Sequence, residues 1–529
     1  MIVHSIEMIL ILMAISIGVT AVAKKLNKPY PIALVLIGAV IGIVPTWGLL
    51  DELRGYFASD EVFRTAIIAV FLPALLGEAS LKLSFEHVRE NRGPILLLAF
   101  GGTLVAYLVT GGLAYWVLNL PLQTALVFGA LMAATDPVSV ISVFKSLGVN
   151  RRLAVIMEGE SLINDGVAVV LFKISAYSLA SMVAMGPWGI AAGLTEFVKV
   201  AAGGMVVGLV LGFILSQLFK YYDDYPLEIA FSVVLFYGAY FVSEYLRYSG
   251  VIAVVAAGLV LGNYGKDVGM TPTTRLSISV FWDTITLVAN SLVFILVGLE
   301  ISRGNITQYA SFIVTGILLV LLGRAAAVYL TTFRLKMLWA WKHILNWGGL
   351  KGSLSLALAL SLPHGSNGRE LLIAMTFGVV FFSLLVQGTT IAPLIRLLGM
   401  QKTVRGLSAY ETLSFELQQA LAADRELVRM RAGGSVSPVV FNRLRQENSD
   451  RIKVVNQELE ALYQQNPELL QEQEYTVRKK LLYAEHQAVE KLLGEGVLSE
   501  ETGEGRKKHV LGQMEALKKN KFQETGNRS

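Results

Sequence analysis

Cysteine is absent from the 529-residue sequence, and charged residues are scarce. The lack of cysteine excludes a disulfide-stabilised secreted scaffold, thiolate zinc sites, iron–sulfur clusters and redox dithiols. Charged residues make up 16% of the chain, whereas soluble domains carry about 25%, so the chain is too apolar to be one large soluble protein. Its six histidines lie at the ends of apolar segments, in connections or in the polar C-terminal part, which argues against a haem or histidine–metal site inside a membrane.

Long apolar runs fill roughly the first 400 residues. Since a helix needs about 20 apolar residues to cross the hydrocarbon of a bilayer, the sequence predicts an all-α polytopic membrane protein with about thirteen transmembrane helices. The candidate spans are 5–23, 30–48, 63–81, 94–118, 121–144, 153–181, 188–218, 225–246, 250–263, 276–301, 306–332, 343–362 and 371–397. Residues 401–529 are rich in Glu, Gln, Lys and Arg, and they predict a helical tail after a membrane domain of residues 1–400.

Lysine and arginine are distributed unevenly over the connections between these spans. One set of alternate connections carries Lys24, Lys25, Lys28, Lys82, Arg89, Arg92, Lys145, Arg151, Arg152, Lys220, Lys266, Arg275, Arg334, Lys336 and Lys342. The other set carries Arg54, Arg64, Arg247, Arg303 and Arg369. Because cytoplasmic loops hold the excess of Lys and Arg, we expect an N-terminus outside the cell and a cytoplasmic tail. The small net charge of +5 fits such loops better than nucleic-acid binding.

The fifth span contains Ala134-Thr135-Asp136-Pro137. Proline removes a helical hydrogen bond and clashes with the preceding turn, and an ionisable residue in mid-membrane costs about 2.5–3.5 kcal/mol. Freed carbonyls and a hydroxyl beside a carboxylate form a site for a hard cation. The alternative is a simple kink, in which Asp136 caps the half-helix that follows.

The sixth span carries three carboxylates and an asparagine within about two helical turns. Glu158, Ser161 and Asp165 share one helix face by their spacing, and Glu160 and Asn164 share another. In the alternative interpretation these residues belong to a loop, and the span starts after Asp165. The apolar run that would remain is too short to cross a bilayer, so the sequence favours a place within the membrane.

Two basic residues lie inside later spans, Arg324 in the eleventh and Lys351 in the twelfth. A buried arginine needs a carboxylate, and Glu160 is the natural partner of Arg324. The glycines around Lys351 allow an unwound break in its helix, as the proline does next to Asp136. The two broken spans lie seven spans apart and therefore run in opposite directions. This is the arrangement of a transporter with inverted repeats, each of which supplies one discontinuous helix.

Several segments of the sequence match one known family as a set. They are Thr135-Asp136-Pro137, the run from Gly159 to Asp165, the run from Phe294 to Glu300, Arg324, and the run from Gly348 to Leu356. Together they resemble the monovalent cation:proton antiporters, in the branch of the bacterial NhaP-type proteins and the animal sodium–proton exchangers. The resemblance covers nearly the whole membrane part, to about residue 400, and leaves the tail uncovered.

This resemblance implies a thirteen-helix antiporter fold that works as a homodimer, with a core domain that moves against a dimerisation domain. By position, Asp136 and Asp165 match the family's ion-binding carboxylates, which hold Na⁺, while Glu160, Ser161 and the Thr135 backbone match supporting ligands.

The resemblance also implies a polar network around the ion-binding site. Asn164 and Arg324 match the residues that hold Glu160. An asparagine before Asp165 is the pattern of the branch regarded as electroneutral. Lys351 stands where the family commonly has arginine, which keeps the charge but loses the fixed fork of donors.

These features predict a secondary active transporter, not an enzyme, that exchanges Na⁺, or Li⁺ or K⁺, for H⁺ across the cell membrane and serves pH and sodium homeostasis. A proton and a cation would compete for the same carboxylate oxygens. The expected partners are these ions, membrane lipid and a second copy of the chain, with no cofactor and no nucleic acid. A channel would need a continuous pore, and an intramembrane protease would need a different motif; the sequence disfavours both.

The tail, from about residue 405 to 520, mixes apolar and charged residues at helical spacing. An apolar stripe within it consists of Ile452, Val455, Leu459 and Leu462. The glycine-rich segment 432–438 predicts a linker between two helices. The tail shows no nucleotide-binding fingerprint, and its sequence leaves a helical bundle, a dimer contact and a regulatory element open.

Overall fold

The computed structural model describes residues 2–26, 30–43, 70–222, 224–301, 306–363, 365–366, 368–401 and 407–494, with short stretches up to residue 513. Over these residues the protein is all-helical, as predicted. The helices of the first half are α1 Ile2–Lys25, α2 Tyr30–Ile43, α3 Leu72–Lys82, α4 Phe85–Glu90, α5 Arg92–Leu96, α6 Thr103–Val117, α7 Leu122–Leu131, α8 Val138–Leu147, α9 Arg151–Lys173, α10 Leu179–Ala184, α11 Trp188–Leu218, α12 Tyr225–Tyr245 and α13 Gly250–Val260. The second half contains α14 Lys266–Val268, α15 Pro272–Ile301, α16 Ile306–Thr331, α17 Trp339–Trp347, α18 Ser353–Leu360, α19 Arg369–Phe382, α20 Gly388–Leu397, α21 Leu407–Ala432, α22 Pro438–Gln465 and α23 Pro467–Gly494. The chain divides into two compact units, Met1–Gln401 and Lys402–Ser529.

The first unit contains the apolar helices. Seven of the described helices are long and apolar enough to cross a membrane, namely Arg92–Val117, Arg151–Ala184, Trp188–Leu218, Tyr225–Tyr245, Thr274–Ile295, Gln308–Thr331 and Arg369–Leu397. Shorter apolar helices are Tyr30–Gly42, Leu122–Leu131, Val138–Leu147 and Gly250–Gly265. These helices confirm a multi-pass arrangement, and the count of thirteen stays a prediction. Residues 44–48 and 63–69, which belong to the predicted second and third spans, lie outside the described residues.

Several long helices are continuous through π-helical stretches. These stretches are Leu97–Gly102 between α5 and α6, Ile174–Ser178 between α9 and α10, Leu261–Gly265 between α13 and α14, and Ser383–Gln387 between α19 and α20. A π-helical turn adds a residue to the helical repeat and frequently marks a functional site. Two of them bear on the sites described below.

The helix of the predicted twelfth span starts four residues before position 343. The helix α17 begins at Trp339, and it includes Lys342, which the sequence analysis assigned to a connection between spans. The side chain of Lys342 is buried, donates to the Thr332 carbonyl at 2.9 Å, and lies 4.9 Å from the centroid of the Trp339 ring. The carbonyl and the aromatic face stabilise the ammonium group, so this charge does not end the helix.

Small residues allow the helices of the membrane unit to pack closely. At Gly38 of α2 and Gly298 of α15, an added Cβ would overlap the backbone of the other helix. Gly208 of α11 lies in the same way against the Ala253 carbonyl of α13. Because lipid tails are as apolar as the helices, association in a membrane depends on close packing of this kind.

The predicted fifth and twelfth spans are each built from two helices. The helix α7 ends at Leu131 and α8 begins at Val138, while α17 ends at Trp347 and α18 begins at Ser353. Residues 132–137 and 348–352 lie between them. Both connections are short and mostly buried, so their free backbone groups need partners inside the protein.

In the second unit, α21 and α22 pack against each other. The Asn448 side chain donates to the Ala420 carbonyl at 2.8 Å, and Val455 and Leu459 of the predicted stripe are buried. The predicted linker is confirmed. α21 ends at Ala432, Gly434 adopts a φ of +71°, and α22 begins at Pro438.

Candidate functional site

The two helix breaks lie against each other and are joined by a hydrogen bond. The Asp136 N–H donates to the Leu350 carbonyl at 2.8 Å, which joins the first break to the second. Gly352 packs directly on the Asp136 side chain, so that a Cβ at this position would overlap the Cβ of the aspartate. A backbone group freed by one break is thus satisfied by the other.

Asp136 also bonds within its own break. One carboxylate oxygen, Oδ1, accepts the Val138 N–H at 3.0 Å, which forms a local turn at the start of α8. Asp136 therefore does bond to the start of the half-helix that follows, as the alternative interpretation of the sequence expected. The same side chain also lines a cavity of about 750 Å³ in the membrane unit, which we call the site cavity.

The two faces predicted for the sixth span are confirmed on α9. Glu158, Ser161 and Asp165 line the site cavity, together with Asp136. Glu160 and Asn164 are fully buried on the other face. The helical repeat thus separates carboxylates that meet the cavity from a carboxylate that meets the protein interior.

Asp165 has an oxygen with no hydrogen-bond partner among the described residues. The Thr135 N–H donates to its carboxylate, while Oδ1 is buried and unpartnered. The neighbouring Ser161 hydroxyl donates to the Thr135 carbonyl. Carboxylate, hydroxyl and carbonyl oxygens therefore come together beside the cavity, and such oxygens are the ligands that hard cations such as Na⁺ prefer.

Glu160 and Arg324 form the buried pair expected from the sequence. The guanidinium donates in a fork, from Nη1 to Oε1 at 2.5 Å and from Nη2 to Oε2 at 3.1 Å. Nη2 also donates to the Leu345 carbonyl at 2.9 Å, and Gly349 lies against the plane of the group. The pair joins α9 and α16 to the break that follows α17, with its charges cancelled.

Asn164 connects this pair to the first break. Its Nδ2 donates to the Thr135 hydroxyl at 2.7 Å and, more weakly, to Glu160 Oε1 at 3.4 Å. An amide at this position can donate to both oxygens, whereas a carboxylate could not. Asn164 therefore holds Thr135, the residue whose backbone faces Asp165.

Lys351 approaches the first break from the second. Its side chain is buried, and Nζ donates to the Ala134 carbonyl at 3.0 Å. Its backbone N–H donates to the Ser383 hydroxyl at 3.0 Å. Among the described residues Nζ makes this one hydrogen bond, which agrees with lysine being a single-point donor in place of an arginine fork.

Sequence reasoning missed the brace that holds the second break. The Ser383 hydroxyl donates to Gln387 Oε1 at 2.7 Å, and Gln387 Nε2 donates to the Trp347 carbonyl at 3.2 Å. Both residues lie in the π-helical stretch between α19 and α20. The available signal was a serine and a glutamine at spacing i, i+4 inside an otherwise apolar run.

The mouth of the site cavity is rich in charge. Lys24, Lys82 and Lys145 line it, and all three belong to the basic set of connections. Lys82 forms ion pairs with both Glu78 and Asp283. The cavity therefore connects the carboxylates at the helix breaks with the basic side of the membrane unit.

The sequence is similar to that of a known protein family and of several known proteins. The family model described as "Sodium/hydrogen exchanger, transmembrane" matches residues 10–397. The Na⁺/H⁺ antiporter NhaG of Bacillus atrophaeus is 46% identical over 515 residues, which cover 97% of this chain and 98% of that protein. The Na⁺/H⁺ antiporter NhaH of Halobacillus aidingensis is 50% identical over 393 residues, covering 74% and 97%. The likeness to NhaG thus extends into the tail.

The fold is also similar to a solved structure. The sodium proton antiporter MjNhaP1 of Methanocaldococcus jannaschii matches with a TM-score of 0.63 and 22% sequence identity. The match covers 75% of this chain and 99% of that one. At this identity the match shows a shared fold.

Proposed function

The chain belongs to the sodium/hydrogen exchanger family, a family of transporters and not of enzymes, and on that premise we propose that it exchanges Na⁺ for H⁺ across the cell membrane. Asp136 and Asp165 form the shared site, and Li⁺ or K⁺ are further candidate substrates. The exchange would serve intracellular pH and sodium homeostasis.

The observation that carries this proposal is the unpartnered Oδ1 of Asp165. A carboxylate oxygen that has lost water and gained no donor is costly unless a proton or a cation occupies it. Asp136 lines the same cavity, and the Ser161 and Thr135 oxygens lie beside it. The group that fits there is an exchangeable monovalent cation or a proton.

The other polar residues support this site through hydrogen bonds and charge balance. Glu160 and Arg324 neutralise each other, so the exchange concerns Asp136 and Asp165. Asn164 positions Thr135, and Lys351 brings one positive charge to the Ala134 carbonyl.

We further propose that the exchange is electroneutral. One cation replaces one proton at the carboxylate pair, whose titration belongs to both groups together. If the carrier moves only when it holds one or the other, exchange follows with no further coupling device. Asn164 contributes no third titrating carboxylate.

The proposed architecture has thirteen membrane helices in two inverted repeats. The broken helices α7–α8 and α17–α18 are the corresponding elements of the two repeats, and the hydrogen bond between their breaks supports this assignment. The membrane domain comprises residues 1–400 and the helical tail residues 401–529. We propose an external N-terminus, a cytoplasmic tail and a homodimer.

This structure would then correspond to an inward-open state. The site cavity opens among Lys24, Lys82 and Lys145, which the charge distribution assigns to the cytoplasmic side. Movement of the elements that carry the carboxylates relative to α3 and α15 would expose the same site to the other side.

Proton flux in everted membrane vesicles tests the function. An imposed proton gradient, acid inside, accumulates a pH-sensitive dye in the vesicles and quenches its fluorescence. Added Na⁺ should exchange for internal H⁺ and restore the fluorescence, and only in vesicles that contain the protein. A channel would conduct Na⁺ without this proton movement, and that result would refute the proposal.

The apparent affinity for Na⁺ is expected to fall with pH. A protonated carboxyl offers no anionic oxygen to a cation, so the apparent KM should rise about tenfold per pH unit below the titration range of the site. High Na⁺ should restore the rate at low pH. The measurement is exchange rate against Na⁺ concentration at several pH values, equal on both sides. A constant KM with a changing maximal rate would indicate a separate regulatory proton instead.

Gly352→Ala is expected to slow exchange strongly. The backbone of Gly352 is extended, with φ −124° and ψ −162°, so alanine fits the conformation but its Cβ displaces Asp136. A misplacement of about 1 Å commonly costs roughly 100-fold in rate. The matched control is Gly112→Ala in α6, where an added Cβ has nothing within 4 Å. If the two variants exchanged ions at equal rates, the position of Asp136 would not matter for exchange, and Asp136 would not belong to the site.

A further inference from the structure

A second cavity, of about 1370 Å³, lies in the membrane unit on another face of α9. We call it the lateral cavity. Its walls come from α5 with the following π-helical stretch, α9, α11 and α13, and most of the side chains that line it are apolar. It is larger than the usual 300–1,000 Å³ of a small-molecule pocket, so it has room for a long apolar chain.

The exposed apolar side chains in the lining of the lateral cavity mark its opening. They are Leu96, Phe100, Val198, Met205 and Leu209. These side chains are 40–55% exposed, and they lie in two of the apolar helices that can span a membrane. Lipid tails are therefore the immediate neighbours of the opening.

One end of the lateral cavity is positively charged. Its lining contains Lys82, Arg89, Lys266 and Arg275, against one carboxylate, Glu86. Lys82 is engaged with two acids, and Arg275 donates to the carbonyls of Lys266 and Met270. Arg89 and Lys266 are exposed, and no ion pair of either occurs among the described residues.

We propose that the lateral cavity binds an anionic phospholipid, with an acyl chain between α9 and α11 and the phosphate at Arg89 and Lys266. Basic pockets between membrane helices attract anionic head groups, and each basic residue contributes about 1 kcal/mol. An apolar chamber with one charged end complements a molecule with an apolar chain and one negative end. A zwitterionic lipid would match the chamber but not the charge.

Bound lipid would act on the helix that carries the ion site. Ile163 and Gly166 of α9 line the lateral cavity, and Gly166 packs against Ile252 of α13. Asp165 lies between these two residues in sequence, on the face of the site cavity. A lipid chain in the lateral cavity therefore supports α9 from behind the carboxylates.

The test uses the purified full-length protein in detergent, delipidated and then titrated with phosphatidylglycerol. Arg89→Gln with Lys266→Gln should weaken binding roughly thirtyfold, which corresponds to two charges at about 1 kcal/mol each. The matched control, Lys220→Gln with Arg334→Gln, removes the same charges from exposed positions on the same side and should bind like the wild type. Native mass spectrometry gives the bound fraction, and Ala202→Phe, which narrows the chamber, should also reduce it.

Several results would overturn this proposal. Equal binding of phosphatidylcholine, or equal loss in both double variants, would show that no head-group site exists there. If glycerol phosphate alone displaced the bound lipid, the site would bind a soluble phosphate anion and not a lipid. Because the chain has no cysteine, Phe100→Cys offers a further test. Efficient disulfide formation between two copies would mean that protein, not lipid, covers the opening.

Discussion

Asp165→Asn is expected to give a folded, membrane-inserted protein without measurable Na⁺/H⁺ exchange. The amide has nearly the shape of the carboxylate and can still accept the Thr135 N–H. It can neither take up a proton nor offer an anionic oxygen at Oδ1, the buried atom without a partner. Exchange in proteoliposomes, with size-exclusion chromatography to verify folding, measures the effect.

Glu158→Gln is the matched control for this variant. Glu158 lies two helical turns away on the same face of α9 and lines the same cavity, yet it is not among the proposed ligands. The control should keep exchange, because it removes a carboxylate without removing the shared site. If Asp165→Asn kept exchange, or if both variants lost it equally, Asp165 would not be the site of competition.

The part of this site that sequence could predict lies within single helices. The spacing of Glu158, Ser161 and Asp165 fixes one face of α9, and a helical repeat of 3.6 residues turns that spacing directly into geometry. The pair of Glu160 with Arg324 was predictable for a different reason. Buried charges in a membrane need partners, and few candidates exist. The need for an opposite charge therefore identified the partner of Glu160, although 164 positions separate it from Arg324 in the sequence.

Contacts with a distant backbone carbonyl or side-chain amide could not be predicted in this way. Lys351 donates to a backbone carbonyl, that of Ala134, and every residue has such an acceptor. The brace of Ser383 and Gln387 depends equally on which turn of α20 and its π-helical stretch reaches the second break. Neither spacing nor charge balance distinguishes these partners from many others, so only the tertiary structure identifies them.

Other charged residues in the apolar helices also form ion pairs with distant residues. Lys173, which alone would be expected to reach towards the membrane surface, forms a salt bridge with Glu244 at 2.7 Å. Glu78 and Asp283 share Lys82 at the mouth of the site cavity. Because only 16% of the residues are charged, each of these groups has few oppositely charged residues with which it could pair.

Removing either member of the Glu160–Arg324 pair is expected to destabilise the membrane unit by roughly 3–5 kcal/mol, since the partner is left as a buried uncompensated charge. Both side chains are almost fully buried, at 1% and 6% exposure. The double variant Glu160→Leu with Arg324→Met removes both charges and should recover part of the loss. Equilibrium unfolding of the four proteins in mixed micelles gives the double-mutant cycle.

The salt bridge of Lys173 with Glu244 provides the reference cycle. Its side chains are 34% and 32% exposed, so this pair is far less buried than Glu160 and Arg324, and its coupling should be about 1 kcal/mol or less. A large coupling for Glu160 and Arg324 beside a small one for this pair would show that burial sets the cost. If the two single losses at Glu160 and Arg324 simply added, the fork seen here would contribute no coupling energy. Arg324 would then stabilise the second break through the Leu345 carbonyl alone.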